Sequence, residues 1–396
     1  MTIAPTSPPT RVRLTSRPDG VPPDTAAADV AAADIRGLRA RVETATAEDV
    51  DRALASSRLT IGDFSALLSP AAGNRIEDLA RRSHETTVRR FGRTVRLFAP
   101  LYLSNECVSV CTYCGFSADN EIARRTLSPT EVLDEARELT RRGFRHLLLV
   151  SGEHARVVSK DYLIDCVRAL SPNVPSISVE VQVWDTATYR RLVEAGCEGL
   201  VVYQEAYDRS TYEAVHRKGK KRNYDWRLAA PDRGAEAGIR HLGIGALLGL
   251  HPDWRSEVLA LAVHARALVR RWWRCDVTIA LPRLRPAAGG FSPRHPVTDR
   301  DFVQLLCALR LFVPDAGISL STREAPAFRD ALVRLGVTQM SAGSHTEPGG
   351  YAAHSDADAQ FEISDTRSPA EVAAVLRDAG YDPVWMDTIG PRRLAT

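Results

Sequence analysis

From Leu97 to Ser344, short runs of β-branched and apolar residues alternate with longer amphipathic stretches. Eight such runs stand out: "LFAPLYLS", "HLLLVSG", "SISVEVQV", "EGLVVYQE", "HLGIGALLGL", "DVTIALPRL", "GISLSTRE" and "TQMSAGS". The stretches between them carry helical punctuation. "SPTEVLDEARELTRRG" opens on Ser128 with Glu131 three residues on, the pattern of a capping box, and "DTATYRRLVEAG" closes on Gly196. Strand then helix, repeated eight times in roughly 250 residues, is the arithmetic of a parallel (β/α)8 TIM-type barrel in the α/β class. A doubly wound open sheet satisfies the same count. Either fold puts its chemistry at the carboxyl ends of the strands.

Ahead of that pattern, residues 31–90 read as helices that pack on the barrel: "DIRGLRARVE", then "TAEDVDRALASS" with a Thr cap, then "TIGDFSALLSP", where Pro70 ends a segment. Residues 1–30, rich in Pro, Thr, Ser and Arg without apolar periodicity, read as a disordered tail. Residues 91–396 are left for the barrel and a C-terminal helix.

Composition narrows the class. With 44% hydrophobic residues, a chain of 396 residues can bury a large core. A formal charge of +3 is too small an excess to make nucleic acid or an acidic membrane the expected partner. No window holds 18 consecutive apolar residues, and the first thirty residues lack an apolar signal core, so a reducing cytoplasm is the default compartment. Four of the seven cysteines, Cys166, Cys197, Cys275 and Cys307, stand singly in apolar runs or near helix ends and read as structural thiols.

The other three do not. Cys107, Cys111 and Cys114 crowd into "SNECVSVCTYCGFSADN", just past the first strand run. Three thiolates at CxxxCxxC spacing suit three corners of a cubane 4Fe–4S cluster and leave one iron open to a small molecule. Structural zinc would ask for a fourth Cys or His at a paired spacing, and none follows nearby. Three core thiols fit poorly with "TYCGF", whose glycine suits a tight loop.

The CxxxCxxC loop after a first barrel strand, with Tyr113 before its last cysteine, resembles the radical S-adenosylmethionine (SAM) superfamily. The resemblance implies that the amine and carboxylate of SAM chelate the open iron, and that one electron releases a 5′-deoxyadenosyl radical. "LLLVSGE" ends the second run with Ser151, Gly152 and Glu153 and resembles the segment that receives the methionyl ammonium; a buried ammonium needs such a partner. Glu180 and Gln182 in "VEVQV", and Gln204 and Glu205 in "VVYQEAY", sit where strand ends hold ribose hydroxyls or form rim salt bridges.

A narrower likeness runs from Ala31 to Trp385. "APLYLSNECVSVCTYCGFS", "VYQEAYDRSTYEAVHRKGKKRNYDWRLAAPDR", "PRLRPAAGG", "SLSTREAPAFRD" and "SAGSHTEPGGYA" resemble the 2-iminoacetate synthases, the tyrosine lyases of bacterial thiamine thiazole synthesis. The implied reaction cleaves the Cα–Cβ bond of L-tyrosine to 2-iminoacetate and 4-methylphenol. An amino-acid carboxylate needs a cation, and Arg323, at the end of the seventh run, is the expected bidentate grip. Ser321, Ser341 and Ser344 can add hydrogen bonds, and Tyr102 is placed to approach cluster and substrate. Arg283 and Arg285 can face either cofactor or substrate. "HRKGKKR", residues 216–222, reads as a solvated loop or as a dock for an acidic partner. The family implies a flavodoxin- or ferredoxin-type electron donor and a thiazole synthase that takes the imine. A lyase acting on tryptophan or another aromatic amino acid is the alternative within the same chemistry.

Overall fold

In the computed structural model, residues 24–293, 295–352 and 355–386 are described. The strands, in chain order, are β1 (Thr94–Ser104), β2 (Val110–Cys111), β3 (His146–Ser151), β4 (Ser176–Glu180), β5 (Gly199–Glu205), β6 (His216–Lys218), β7 (His241–Ala246), β8 (Asp276–Ala280), β9 (Gly317–Leu320), β10 (Gln339–Ser341) and β11 (Asp382–Val384). All eight apolar runs become strands of one parallel sheet, ordered β1-β3-β4-β5-β7-β8-β9-β10. Arg96↔Gln339 and Phe98↔Ser341 pair the last strand with the first, which closes the barrel and excludes the open sheet. Closure depends on the length of β1. Its start pairs with β10 and β11, and Ala99–Ser104 pairs with β3.

The alternating pattern has its usual cause. Apolar residues on both faces of the parallel strands are covered, inward by one another and outward by helices such as Pro129–Arg141 and Trp254–Arg271. Ser128 caps its helix reciprocally with Glu131, and Gly196 ends Thr186–Ala195 at φ 118°. Pro70 behaves differently from its reading as a terminator. It opens the short helix Pro70–Gly73 at the first position, where its missing N–H costs nothing, with Ser69 as the cap.

The N-terminal helices lie along the barrel wall. Ile76–Phe91 packs on Asp299–Phe312. A further helix, Ala26–Ala32, begins inside the stretch read as tail and runs two residues past its end. Its first N–H groups donate to the buried Asp232 carboxylate (Ala26 N, 3.0 Å), an anchor that no local pattern announces. Residues 1–23 of the expected tail lie outside the described residues. The C-terminal helix is Pro369–Asp378. Cys166, Cys197 and Cys307 are buried and Cys275 half-buried, as expected of structural thiols.

Candidate active site

The three clustered cysteines follow β1 on a loop pinned from several sides. Arg124 donates to the carbonyls of Asn105 (2.6 Å), Phe116 (3.0 Å) and Ser117 (2.7 Å). Asn105, itself buried, accepts from Arg125 N and donates to the Ala123 carbonyl. On one side β2, which contains Cys111, pairs antiparallel with β6. On another, Gly115 N donates to the Gln360 carbonyl at 3.1 Å, and a Cβ at position 115 would stand 2.6 Å from that oxygen. The tight loop read from "TYCGF" is therefore a close approach between two backbones.

All three thiols are free. Burial, with Cys114 adding to it, pushes the Cys107 thiol up to about 11. Burial raises Cys111 further still, against the pull of Lys221. Thiolates in such surroundings need a cationic partner, which cluster irons supply. Among the described residues no group of three or more His, Cys, Asp or Glu could hold a single metal ion. A cubane asks for a different arrangement, one thiolate per iron at separate corners, and three free thiols within eight residues supply donors of that kind.

Gly152 is part of the same support. Its N–H donates to the Ser104 carbonyl at 3.0 Å, and a Cβ there would lie 2.3 Å from Glu106 O and 3.2 Å from Cys107 Cβ. Gly152→Ala is expected to push the Cys107 segment out of place. Iron and sulfide counts per chain after reconstitution should fall below wild type; a full complement would show that the loop yields without harm.

A cavity opens at the carboxyl ends of the strands, with Cys114 in its wall. The Tyr102 hydroxyl donates to Gln360 Oε1 (2.8 Å), whose Nε2 lies 3.7 Å from Cys114 Sγ. Arg323 is stacked on Phe361, its guanidinium carbon 3.4 Å from the ring centre. Its guanidinium has no hydrogen-bond or ion-pair partner among the described residues. Burial works against that cation, while Tyr102, Glu205 and Glu180 favour it. Ser321 Oγ accepts from Arg323 N at 3.4 Å, Ser341 lines the wall, and Ser344 Oγ is buried without a partner.

Two carboxyls face this space from the ends of β4 and β5. Burial and the neighbouring Glu205 push Glu180 up to about 7, opposed by Lys221, Arg227 and Arg323. Burial would raise Glu205 as well, but Lys221 Nζ at 2.8 Å, with Arg227, holds it below its ordinary range. Glu205 has φ 69°, a left-handed conformation uncommon outside glycine, at a register shift between β5 and β7. Strain of this kind persists where surrounding structure over-determines it.

Other expected residues stand back from the cavity. Glu153 is buried against Arg227 (3.1 Å), and Ser109 Oγ approaches its second oxygen at 3.4 Å. Ser151 Oγ is buried and unpartnered. Gln182 donates to the Val158 carbonyl, Arg285 is half-buried with an unpartnered Nε, and neither forms part of the wall. Both atoms of the buried Gln204 amide are unpartnered. Arg283 is committed to Glu324 (3.0 Å) and Asp299 (2.7 Å). The Tyr113 ring lines the cavity, while its hydroxyl is bonded to His216 Nε2 at 2.8 Å.

Sequence reasoning missed Lys221, Arg227, Gln360 and Phe361. Lys221 belongs to the basic run read as a solvated loop or dock. Arg217, Lys218, Lys220 and Arg222 are exposed, but Lys221 turns inward. Gln360 and Phe361 come from a strap, residues 358–365, that crosses the barrel mouth and bonds to Asn105, Gly115, Pro286 and Thr322.

Comparison with known proteins finds two family models along the barrel. Residues 101–262 match the Radical SAM superfamily model, and residues 280–382 the Biotin and Thiamin Synthesis associated domain. The 2-iminoacetate synthase of Escherichia coli (strain K12) is 45% identical over 350 residues, 88% of this chain and 93% of that protein. Its Salmonella typhimurium counterpart is 42% identical over the same shares. Among solved structures, HydG, a maturase of the FeFe-hydrogenase, superposes with a TM-score of 0.83 at 34% identity, covering 89% of this chain and 79% of its own. Methylornithine synthase, at 22% identity and a TM-score of 0.69 over 85% of this chain and 97% of its own, shares the fold.

Proposed function

Because the chain belongs to the 2-iminoacetate synthases of the radical SAM superfamily, which are carbon–carbon lyases, we propose that the cavity beside Cys114 binds L-tyrosine by its carboxylate on Arg323. The enzyme cleaves the Cα–Cβ bond to give 2-iminoacetate and 4-methylphenol, with 5′-deoxyadenosine and methionine as co-products, and supplies thiamine thiazole synthesis. The observation that carries the substrate assignment is Arg323 itself. A half-buried guanidinium with no ion-pair partner among the described residues, stacked on Phe361 in the wall that also holds Cys114, is suited to receive a carboxylate.

Cys107, Cys111 and Cys114 would hold a 4Fe–4S cluster with one iron left for SAM, which together would supply one-electron reduction and a hydrogen-atom acceptor. The chain's residues do the rest by position. Arg323 fixes the substrate carboxylate, and Ser321 and Ser344 offer hydroxyls beside it. Phe361 covers the far face of the guanidinium and keeps water from it. Gln360 holds the Tyr102 hydroxyl and touches Cys114, which ties the substrate wall to the cluster loop. Glu153, with one oxygen only loosely held by Ser109, serves the methionyl ammonium together with Ser151 and Gly152. Glu180 and Glu205 serve ribose hydroxyls from the strand ends.

The remaining assignments are a flavodoxin- or ferredoxin-type donor, a thiazole synthase that receives the imine, and a reducing cytoplasm as the compartment. No described helix is long and apolar enough to cross a membrane. One anaerobic assay tests the function: cluster reconstitution, dithionite, SAM and either tyrosine or tryptophan. Tyrosine-dependent 4-methylphenol, with glyoxylate from hydrolysis of the imine, is expected. Intact tyrosine under conditions that turn over tryptophan would overturn the reading.

A further inference from the structure

The basic run at residues 216–222 divides its work. Lys221 enters the cavity, while Arg217, Lys218 and Lys220 are exposed and make no ion pair among the described residues. Arg222 adds a fourth exposed cation, loosely held by an equally open Glu213. These charges ride on β6 and the turn after it. β6 is hydrogen-bonded to β2, with His216 opposite Cys111 and Lys218 opposite Val110. Paired strands lie about 4.8 Å apart, so the exposed cations stand one strand away from a cluster ligand.

The surface around them has the make-up of a protein interface. Val108, between the first two cysteines, is 47% exposed, and Trp226 is 38% exposed beneath the Arg233 guanidinium. A shallow groove runs from Lys220 and Arg222 to Trp184 and Trp226. Aromatic and arginine side chains within a charged rim are where docking energy concentrates. The chain as a whole is nearly neutral, so this field is local.

We propose that this face, Arg217, Lys218 and Lys220 with Val108 and Trp226, docks an acidic, low-potential one-electron carrier protein that reduces the cluster. The proposal rests on the radical SAM reading and specifies where its electron enters. The carrier gives up one electron, a reduced flavin passing from hydroquinone to semiquinone, and the cluster accepts it, passing from the 2+ to the 1+ state. Electron transfer weakens steeply with distance, and the β6–β2 pair is a direct path from a charged surface to Cys111. Complementary charge would speed encounter and orient the carrier.

The test uses the full reconstituted chain with SAM and tyrosine, driven by dithionite or by reduced flavodoxin. In the Arg217→Glu/Lys218→Glu/Lys220→Glu variant, the flavodoxin concentration for half-maximal 4-methylphenol formation should rise on the order of tenfold or more, and its salt dependence should flatten. The dithionite-driven rate and the cluster absorbance should match wild type. Lys220→Gln, which lies outside the strand, should shift the flavodoxin dependence in the same direction by a smaller amount. Wild-type flavodoxin dependence in the variants would overturn the docking face. Failure of the wild-type chain to form 5′-deoxyadenosine with dithionite would instead overturn the radical SAM reading beneath it.

Discussion

Arg323→Ala is expected to lower kcat/KM for tyrosine by about 10²–10⁴ and to leave the cluster spectrum unchanged. Each hydrogen bond to a charged group contributes about 1.5–3 kcal/mol, and a bidentate grip makes two. At 1.36 kcal/mol per factor of ten, their loss corresponds to that range. The cluster should persist because Arg323 touches Phe361 and Ser321, not the cysteine loop. Arg323→Lys should recover only part of the activity, since an ammonium cannot present two parallel donors. Loss of cluster absorbance in Arg323→Ala would make the residue structural and remove it from substrate binding.

Arg227→Met should have the largest effect on stability. Glu153 and Arg227 form a buried pair, and Arg227 Nε also donates to the Tyr203 carbonyl at 2.8 Å. Burial works against the guanidinium, but Glu153 and Glu205 more than compensate and raise it above its ordinary range. Removing one partner of such a pair costs about 3–5 kcal/mol, because the other charge is left buried alone. That is a large share of the 5–15 kcal/mol by which domains are ordinarily stable. The urea midpoint should fall sharply. Adding Glu153→Gln should restore part of it by neutralising the stranded carboxylate, while the Tyr203 carbonyl stays unpaired. An unchanged midpoint in Arg227→Met would show that Glu153 finds other solvation.

How much of this was legible follows from what kind of signal each feature leaves. The eight barrel strands announced themselves because a strand buried on both faces is an apolar run, and the helices between them carry caps. β2, β6 and β11 left no such mark: "VC", "HRK" and "DPV" are short, and two of the three are polar. Cys107, Cys111, Cys114 and Arg323 were readable because metal spacing and a strand-end arginine are local patterns. Lys221 was hidden in a hydrophilic run, where only the tertiary crossing of β6 over the cysteine loop distinguishes it from its neighbours. Gln360 and Phe361 reach the cavity on a strap with no regular structure. Gln182, by contrast, has the right address at the end of the run through β4 but spends its amide on Val158. A strand-end position limits which residues can reach a cavity without deciding which of them do.

The clamp on the cysteine loop bears on the order in which the protein is built. The three cysteines occupy eight consecutive positions, yet their surroundings come from far along the chain. His216 lies 103 positions from the Tyr113 it bonds, and Gln360 lies 246 positions from Cys114. Contacts so remote in sequence require closing long loops, an entropic cost that local contacts do not carry. A nascent chain would therefore present three neighbouring thiols before His216 and Gln360 surround them. On the proposed function, iron and sulfide delivered before the last strand and the strap are in place would meet three thiols on an unordered eight-residue segment, so that cluster loading would follow closure of the barrel.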